Sequence, residues 1–165
     1  MKTLKNEIKI GGVGLHSGEE STLWMRPCGS AGIYFRNKSG LSPVTEAVVE
    51  EDSRLTGFSL PNGAVVRTAE HLLASIAGMG LEAVELELTG NEVPILDGSA
   101  FPFAEAIKNC GFEEIDGKRK KRAIASPLFL EENDGGRLLA AAPAEKLTVT
   151  YIIDYSGTPI GTQKV

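Results

Sequence analysis

An adjacent carboxylate and imidazole, Glu70 and His71, are the two side chains in this sequence whose types and spacing could most directly do chemistry. The residues around them predict that the pair lies in the first turn of a helix. An imidazole there could bind a metal ion, and the carboxylate beside it could take a proton from a water that the ion activates. A solvated Glu-His pair on an exposed helix face is the alternative, and for a dipeptide considered alone it is the more common case.

The histidine content limits any metal site. The 165 residues include two histidines, His16 and His71, whereas a catalytic zinc usually takes about three protein ligands and a water. Asp and Glu side chains could fill the gap, but no HxxxH or HxxxD pattern is present. The other ligands of a site that contains His71 must therefore come from elsewhere.

Three further segments have a possible chemical role. The glycine-rich residues 11–18 could approach a phosphate closely, but they lack the GxxxxGK[ST] pattern and open a strand, so a bent connection is favoured. Asp97, followed by Gly and Ser, is typical of a turn. A carboxylate that orients a catalytic group is the alternative for Asp97. The basic run at 117–122 is typical of a solvated linker, with an anion-binding segment as the alternative.

The helix that must position Glu70 and His71 is predicted from apolar periodicity. Its stripe has the spacing i, i+3, i+4, i+7, i+8 and consists of Ala69, Leu72, Leu73, Ile76 and Ala77. Thr68 is a suitable N-cap residue, and Gly78 and Gly80 are expected to end the helix. The positions predicted to point away from the buried stripe are Glu70, His71, Ala74 and Ser75.

Strand patterns surround this helix. They occur in residues 3–10, 20–26, 33–36, 47–60, 64–67 and 83–88. Asn62-Gly63 is the strongest short hairpin signal and predicts that residues 64–67 return along the preceding strand. In the strand at 83–88, apolar and acidic residues alternate, which places Glu85 and Glu87 on the outward face.

A second helix is predicted to begin near Pro102, which suits a first helical turn, and to end at Gly111. Its apolar stripe consists of Phe103, Ala106, Ile107 and Cys110. Several strands, a helix, a strand and a helix predict an α+β fold, a two-layer sandwich of a sheet and helices.

We predict that residues 1–116 form this first domain, with a basic linker at 117–122. The opening strands of a second, incomplete domain are expected in residues 123–165. The strand-like segments there are residues 123–131, 137–142 and 147–154. The sequence ends before any helix that could cover their sheet, so we expect exposed apolar surface and self-association.

Composition excludes several classes of function. The net charge of −5 and the pI of about 5.1 argue against nucleic-acid binding, which needs a positive field. No apolar run approaches the roughly 18 residues of a membrane-spanning helix, and the first residues lack an apolar signal core. The two cysteines, Cys28 and Cys110, form no CxxC pattern, so neither a disulfide framework nor a thiolate zinc site is indicated. A reduced, cytoplasmic protein is expected.

Four motifs occur together and in a specific order. They are GVGLHSG at 12–18, MRP at 25–27, TAEHLL at 68–73 and EVPILDGS at 92–99. The set resembles the zinc-dependent UDP-3-O-acyl-N-acetylglucosamine deacetylases, which catalyse the committed step of lipid A synthesis. The resemblance covers essentially the whole chain. It implies two similar domains, each a sheet layered against helices, with the active site between them.

The resemblance also implies part of a metal site. Glu70 would be the general base and His71 one ligand of Zn²⁺. The family's other two zinc ligands, a His and an Asp on one helix, belong to the second domain, as does the histidine that acts as general acid. This chain ends before all three, so the remaining zinc ligands are expected from the absent part of the second domain.

For the substrate, the resemblance implies contacts with a UDP-linked, acylated N-acetylglucosamine. Leu15 and His16 would lie near the mouth of the active site, and Leu55 and Thr56 would border the substrate. Asp97 matches a family motif, but the resemblance carries no catalytic role to it.

These observations predict a truncated deacetylase that is inactive as a chain of 165 residues. The alternative is a catalytically inactive half-enzyme that acts only as a binding or assembly module. A complementing C-terminal half on another chain could supply the missing residues in either case. A small glycine-rich nucleotide-binding domain, unrelated to zinc, is a third and less favoured hypothesis.

Overall fold

The structure of this chain is a computed structural model, and it describes residues 1–50, 55–117, 123–132 and 136–165. The chain divides into two compact units, Met1–Arg119 and Lys120–Val165. Of the predicted basic linker, every residue except Gly117 lies outside the described residues. The domain boundaries 1–116, 117–122 and 123–165 therefore stay a prediction.

The described part of the first unit contains two helices and ten strands, with a 3-10 turn at Val44–Glu46. The helices are α1 (Glu70–Gly78) and α2 (Phe101–Cys110). The strands are β1 (Lys2–Leu4), β2 (Ile8–Val13), β3 (Glu20–Pro27), β4 (Gly32–Asn37), β5 (Gly40–Pro43), β6 (Val48–Val49), β7 (Phe58–Ser59), β8 (Val65–Val66), β9 (Ala83–Leu88) and β10 (Phe112–Glu114).

Within these described residues, seven strands form one mixed sheet whose main order is β10-β1-β9-β3-β2, and β4 with β5 joins it at β9. Strand β9 pairs antiparallel with β3 and parallel with both β1 and β4. The apolar residues Ala83, Val84 and Leu86 of this central strand are fully buried. A smaller sheet has the order β6-β7-β8. The predicted strands at 20–26, 33–36 and 83–88 are confirmed.

The hydrophobic core lies between the large sheet and the two helices. Its fully buried members include Leu72 and Ile76 of α1, Phe103 and Ile107 of α2, and Leu23, Met25 and Leu86 of the sheet. Helices on a mixed sheet define an α+β fold, which confirms the predicted fold class. The stripe predicted for α2 is also confirmed, and α2 ends at Gly111 with a φ of 77°.

The hairpin predicted at Asn62-Gly63 is confirmed. Leu60 donates its N–H to the carbonyl of Ala64 at 2.9 Å, and Gly63 adopts a φ of 84°. The side chain of Asn62 also accepts the N–H of Ala64 at 3.0 Å. The paired strands of this hairpin are β7 and β8.

Several strand predictions were wrong because the partner strands are distant in sequence. The single strand predicted at 3–10 is two strands, since β1 pairs with β10 while β2 pairs with β3. Neither β10 nor β5 was predicted. In the segment 47–60, the described residues contain strand only at β6 and β7, and residues 51–54 lie outside the described part.

The outward position of Glu85 needs a correction. Its side chain is buried, because Arg36 donates two hydrogen bonds to its carboxylate and Arg26 lies 3.7 Å from it. These arginines hold the pKa of Glu85 below its ordinary value despite the opposing effect of burial. The alternation of apolar and acidic residues predicted which face of the strand Glu85 occupies. It could not predict that Arg26 and Arg36 cover the side chain on that face.

Helix α1 differs from its prediction in its N-cap residue and in which residues form its buried face. Ala69 rather than Thr68 is the N-cap residue, and no side chain caps the helix. Ser75 is buried and donates its hydroxyl to the carbonyl of Leu72 at 2.7 Å, whereas Ala77 is exposed. The buried face is therefore turned toward Ser75. The predicted end at Gly78 is confirmed.

The second unit, considered by itself, consists of two hairpins in its described residues. One pairs β11 (Leu128–Glu131) with β12 (Leu138–Ala141), and the other pairs β13 (Ile152–Tyr155) with β14 (Gly161–Lys164). Two of the predicted segments contain β11 and β12, and the third overlaps β13 only at its end, while β14 was not predicted. Phe129 and Leu130, each 69% exposed, show the apolar surface that was expected.

No helix in the described part of the chain has the length and apolar character needed to cross a membrane.

Candidate active site

Glu70 and His71 are the first two residues of α1, and both side chains are half-buried. The carboxylate Oε2 of Glu70 accepts the N–H of Thr56 at 3.3 Å. The carbonyl of Thr56 in turn accepts the N–H of Ala69 at 3.2 Å. Two hydrogen bonds thus attach the segment that follows Leu55 to the start of the helix, so two of the sequence-predicted site residues, Thr56 and Glu70, are in contact.

Asp97 lies in the turn that the sequence predicted. Its Oδ1 accepts the N–H of Ser99 at 2.9 Å and the hydroxyl of Ser99 at 2.8 Å. These hydrogen bonds lower the pKa of Asp97, and the nearby imidazole of His71 adds a smaller electrostatic contribution in the same direction. Asp97 is therefore within electrostatic range of His71, although its carboxylate is exposed.

A third acidic residue, Glu92, connects the motifs of the first unit. It is 5% exposed. Its Oε1 accepts the N–H of His16 at 3.0 Å and the hydroxyl of Thr68 at 2.7 Å, and its Oε2 accepts the N–H of Ser17 at 2.8 Å. One carboxylate therefore joins the glycine-rich loop to the residues that precede α1.

The hydrogen bonds of Glu92 also set its charge. Burial by itself raises the pKa of the carboxyl group, but the bonds from His16, Ser17 and Thr68 outweigh burial and lower the pKa to about 2. Glu92 is therefore ionised at neutral pH. The donors that stabilise this buried charge are uncharged groups.

The glycine-rich loop is a bent connection, as favoured from the sequence. Gly18 adopts a φ of 67°, and its N–H donates to the carbonyl of Gly14 at 3.1 Å. A Cβ on Gly14 would lie 2.8 Å from the carboxyl carbon of Glu92 and closer still to Glu92 Oε2 and Ser17 Oγ. The loop can approach Glu92 only because residue 14 has no side chain.

A pocket of about 430 Å³ opens beside this loop. It is lined by His16, Ser17, Glu19, Leu55, Arg67, Asn91 and Glu92. The structure thus brings His16 and Leu55 together at one pocket. Leu15, which is 59% exposed, and Thr56 are not among the lining residues, nor are Glu70 and His71.

The described residues do not complete a metal site. His71 offers an imidazole nitrogen, but no group of three or more His, Cys, Asp and Glu side chains in the described ranges is arranged to hold a metal ion. A catalytic zinc needs about three protein ligands. These residues alone therefore do not fit a resident zinc, and His71 could supply one ligand at most.

Sequence reasoning missed two residues of this site. Glu92 appeared only as the first letter of a motif, and Thr68 was interpreted as a helix cap. The partners of Glu92 are 76, 75 and 24 residues away in sequence, so no local pattern reports them. The one available signal was an acidic residue directly before the apolar Val93-Pro94, both of which are buried.

Comparison with known proteins identifies the family of this chain. The family model described as LpxC, UDP-3-O-acyl N-acetylglycosamine deacetylase, matches residues 1–165. The chain therefore belongs to this family of amide hydrolases.

Two curated relatives illustrate the similarity. The UDP-3-O-acyl-N-acetylglucosamine deacetylase of Pseudomonas entomophila (strain L48) is 42% identical over 161 residues, which cover 93% of this chain and 52% of the relative. The protein with the same description from Geotalea uraniireducens (strain Rf4) is 35% identical over 168 residues, which cover 98% of this chain and 53% of the relative. The chain spans about half the length of the curated relatives it matches.

The contact of Gly14 with Glu92 gives a steric prediction. We expect Gly14→Ala to lower the free energy of unfolding by about 1–3 kcal/mol, because the new Cβ displaces Glu92 or Ser17 and breaks their hydrogen bonds. Urea unfolding followed by circular dichroism measures the change. Gly29→Ala is the matched control, because a Cβ on Gly29 meets nothing within 4 Å. Equal stability of the two variants would contradict the packing described.

The lowered pKa of Glu92 gives a pH prediction. We expect Glu92→Gln to lower the free energy of unfolding by about 1–3 kcal/mol at pH 7. The NH₂ group of the new amide cannot accept the buried hydrogen bonds that a carboxylate oxygen accepts. An acid whose pKa falls on folding stabilises the folded state above its unfolded pKa, and this contribution disappears as the pH falls through its folded pKa. The stability difference between wild type and variant should therefore be constant above pH 4.5 and shrink between pH 4.5 and about 2.

Urea unfolding at pH 7, 5, 4 and 3 measures this difference. The exposed Glu105, on α2, provides the control variant Glu105→Gln, which should change stability by less than about 0.5 kcal/mol. A difference for Glu92→Gln that stays constant down to pH 3 would show that Glu92 is not ionised through these hydrogen bonds.

Proposed function

We propose that this chain is part of a zinc-dependent hydrolase that removes the N-acetyl group from UDP-3-O-acyl-N-acetylglucosamine, in the committed step of lipid A synthesis. The proposal depends on one observation: in a chain of this family, Glu70 and His71 lie side by side at the start of α1. The substrate follows from the names of the relatives. The products are acetate and a free glucosamine amine.

In this proposal Glu70 is the general base. Its side chain lies at a helix N-terminus, where the unpaired N–H groups favour an anionic group. The N–H of Thr56 binds Oε2, which orients the carboxylate, and a carboxylate can accept further hydrogen bonds through both oxygens. Glu70 would accept the proton of the water that attacks the acetamide carbonyl.

His71 is proposed as one ligand of Zn²⁺. Its support is its position beside Glu70 and within range of the negative charge of Asp97. Since the described residues do not complete the ligand set, the other ligands would come from the part of the protein that corresponds to the rest of the relatives. That part would form the second domain, of which residues 123–165 are the opening strands.

Leu15, His16, Leu55 and Thr56 are proposed to border the substrate. His16 and Leu55 line the pocket beside the glycine-rich loop. Leu15 presents an apolar side chain that is 59% exposed next to His16. Thr56 contributes through its hydrogen bond to Glu70, and it directly follows Leu55 of the pocket lining.

A second candidate function is that of a binding or assembly module that is inactive by itself. The incomplete ligand set of the described residues favours it for these 165 residues. Both proposals expect no turnover by residues 1–165 alone, and they differ on whether a complementing half gives turnover that depends on Glu70. A cytoplasmic location is part of both proposals.

The assay of acetate release from UDP-3-O-acyl-N-acetylglucosamine tests the proposal. We expect residues 1–165 with added Zn²⁺ to show no turnover, because one imidazole cannot hold a catalytic zinc. Production together with the part of the Pseudomonas entomophila relative that this chain does not cover should give turnover. In that pair, Glu70→Gln should lower kcat by about 10²–10⁴-fold, the usual contribution of a general base.

Glu105→Gln is the control variant and should leave turnover unchanged. Turnover by residues 1–165 alone that survives Glu70→Ala would contradict both the assigned base and the expected inactivity of the chain. Turnover by the pair that is insensitive to Glu70→Gln would overturn the role of Glu70.

A further inference from the structure

We propose that Glu92 is a positioning residue, which holds the loop that carries His16 against the entry to α1 and so fixes His16 relative to Glu70 and His71. The hydrogen bonds of Glu92 do not depend on any function. The consequence for turnover rests on the proposed function, because Glu70 and His71 have their roles only there.

The carboxylate of Glu92 connects two separate segments of the chain. Oε1 of Glu92 accepts donors from two separate segments at once, the N–H of His16 at 3.0 Å and the hydroxyl of Thr68 at 2.7 Å. A shared acceptor fixes the distance between its two donors. Because Glu92 is 5% exposed, water competes little for these bonds.

The backbone of Thr68 is held in an unusual conformation. This residue is buried and adopts a φ of 54°, a conformation that is strained for a β-branched side chain. Such strain persists only where the surroundings hold it, and it is concentrated at functional sites. The bond from Thr68 to Glu92 is one such restraint. The neighbouring Arg67 adds two more, because its carbonyl accepts the N–H of Val93 at 3.0 Å and its N–H donates to the carbonyl of Asn91 at 2.8 Å.

The backbone of Thr68 leads directly into the proposed site. Thr68 is two residues before Glu70 and three before His71. The helix has no side-chain cap, so its entry direction is set by the backbone of Thr68 rather than by a cap. On the other side of Glu92, His16 is exposed and lines the pocket, and its backbone N–H is held by the same carboxylate. Glu92 therefore sets the distance between the pocket wall and the start of α1.

Imidazole NMR signals test this inference directly, because the chain has two histidines. The signals are assigned with His16→Gln and His71→Gln in residues 1–165. We expect Glu92→Gln to move both signals by more than their line widths. Thr68→Val, which keeps the branched side chain and removes the hydroxyl, should move the His71 signal, whereas Thr68→Ser, which keeps the hydroxyl, should leave it near its wild-type position.

A structural role alone would not move the signals selectively. Ile107→Val, in the core at 0% exposure, lowers stability but changes no donor or acceptor of the Glu92 hydrogen bonds, so it should leave both signals in place. If Ile107→Val moves them as much as Glu92→Gln does, the inference is overturned. Equal signals in Thr68→Val and Thr68→Ser would also overturn it, and these two variants remain informative if Glu92→Gln does not fold.

Turnover of the co-produced pair separates this inference from the proposed function. We expect Glu92→Gln to lower kcat more than it raises KM, with Ile107→Val unchanged. If Glu70→Gln has no effect while Glu92→Gln moves the signals, the proposed function fails and the positioning by Glu92 stands. If Glu70→Gln abolishes turnover while Glu92→Gln changes neither signals nor kcat, the positioning role fails and the proposed function stands.

Discussion

The buried carboxylate of Glu92 is the interaction on which the site of this chain depends. A charge taken out of water is costly unless hydrogen bonds replace its hydration. Glu92 obtains them from His16, Ser17 and Thr68, so the loop must keep its backbone N–H groups aimed at one point. That requirement explains why residue 14 is a glycine, since a Cβ there would occupy the space of the carboxylate. The glycine at position 14 of the motif is thus a consequence of Glu92.

The same carboxylate determines how α1 begins. A helix usually begins with a side chain that caps its free N–H groups, and Thr68 would have served. Its hydroxyl instead donates to Glu92, and its backbone takes a positive φ. The first turn of α1 is left without a side-chain cap, and Glu70 at its first position binds the N–H of Thr56 rather than a group of its own helix. The residues with proposed chemical roles therefore lie at a helix start that has no side-chain cap.

Local patterns predicted the parts of the fold that local interactions determine. The stripe of α2, the hairpin at Asn62-Gly63 and the strands β3, β4 and β9 needed only periodicity and turn chemistry. The break between β1 and β2 could not be predicted, because it follows from pairing with β10, which begins at Phe112. For the same reason the sequence located Glu70 and His71, which share a helix turn, but not Glu92, whose loop donors are more than 70 residues away.

The incomplete ligand set gives this hydrogen-bond network its importance. In a closed metal site the ion itself fixes its ligands, since each bond constrains a side chain. The described residues hold no such group, and within them Glu70 is held at the start of α1 by the N–H of Thr56. Functional groups need support from surrounding hydrogen bonds to stay within a fraction of an ångström of a productive position. Glu92 provides that support through its hydrogen bonds to the loop beside the pocket and to Thr68 before the start of α1, and these bonds need no metal ion to form.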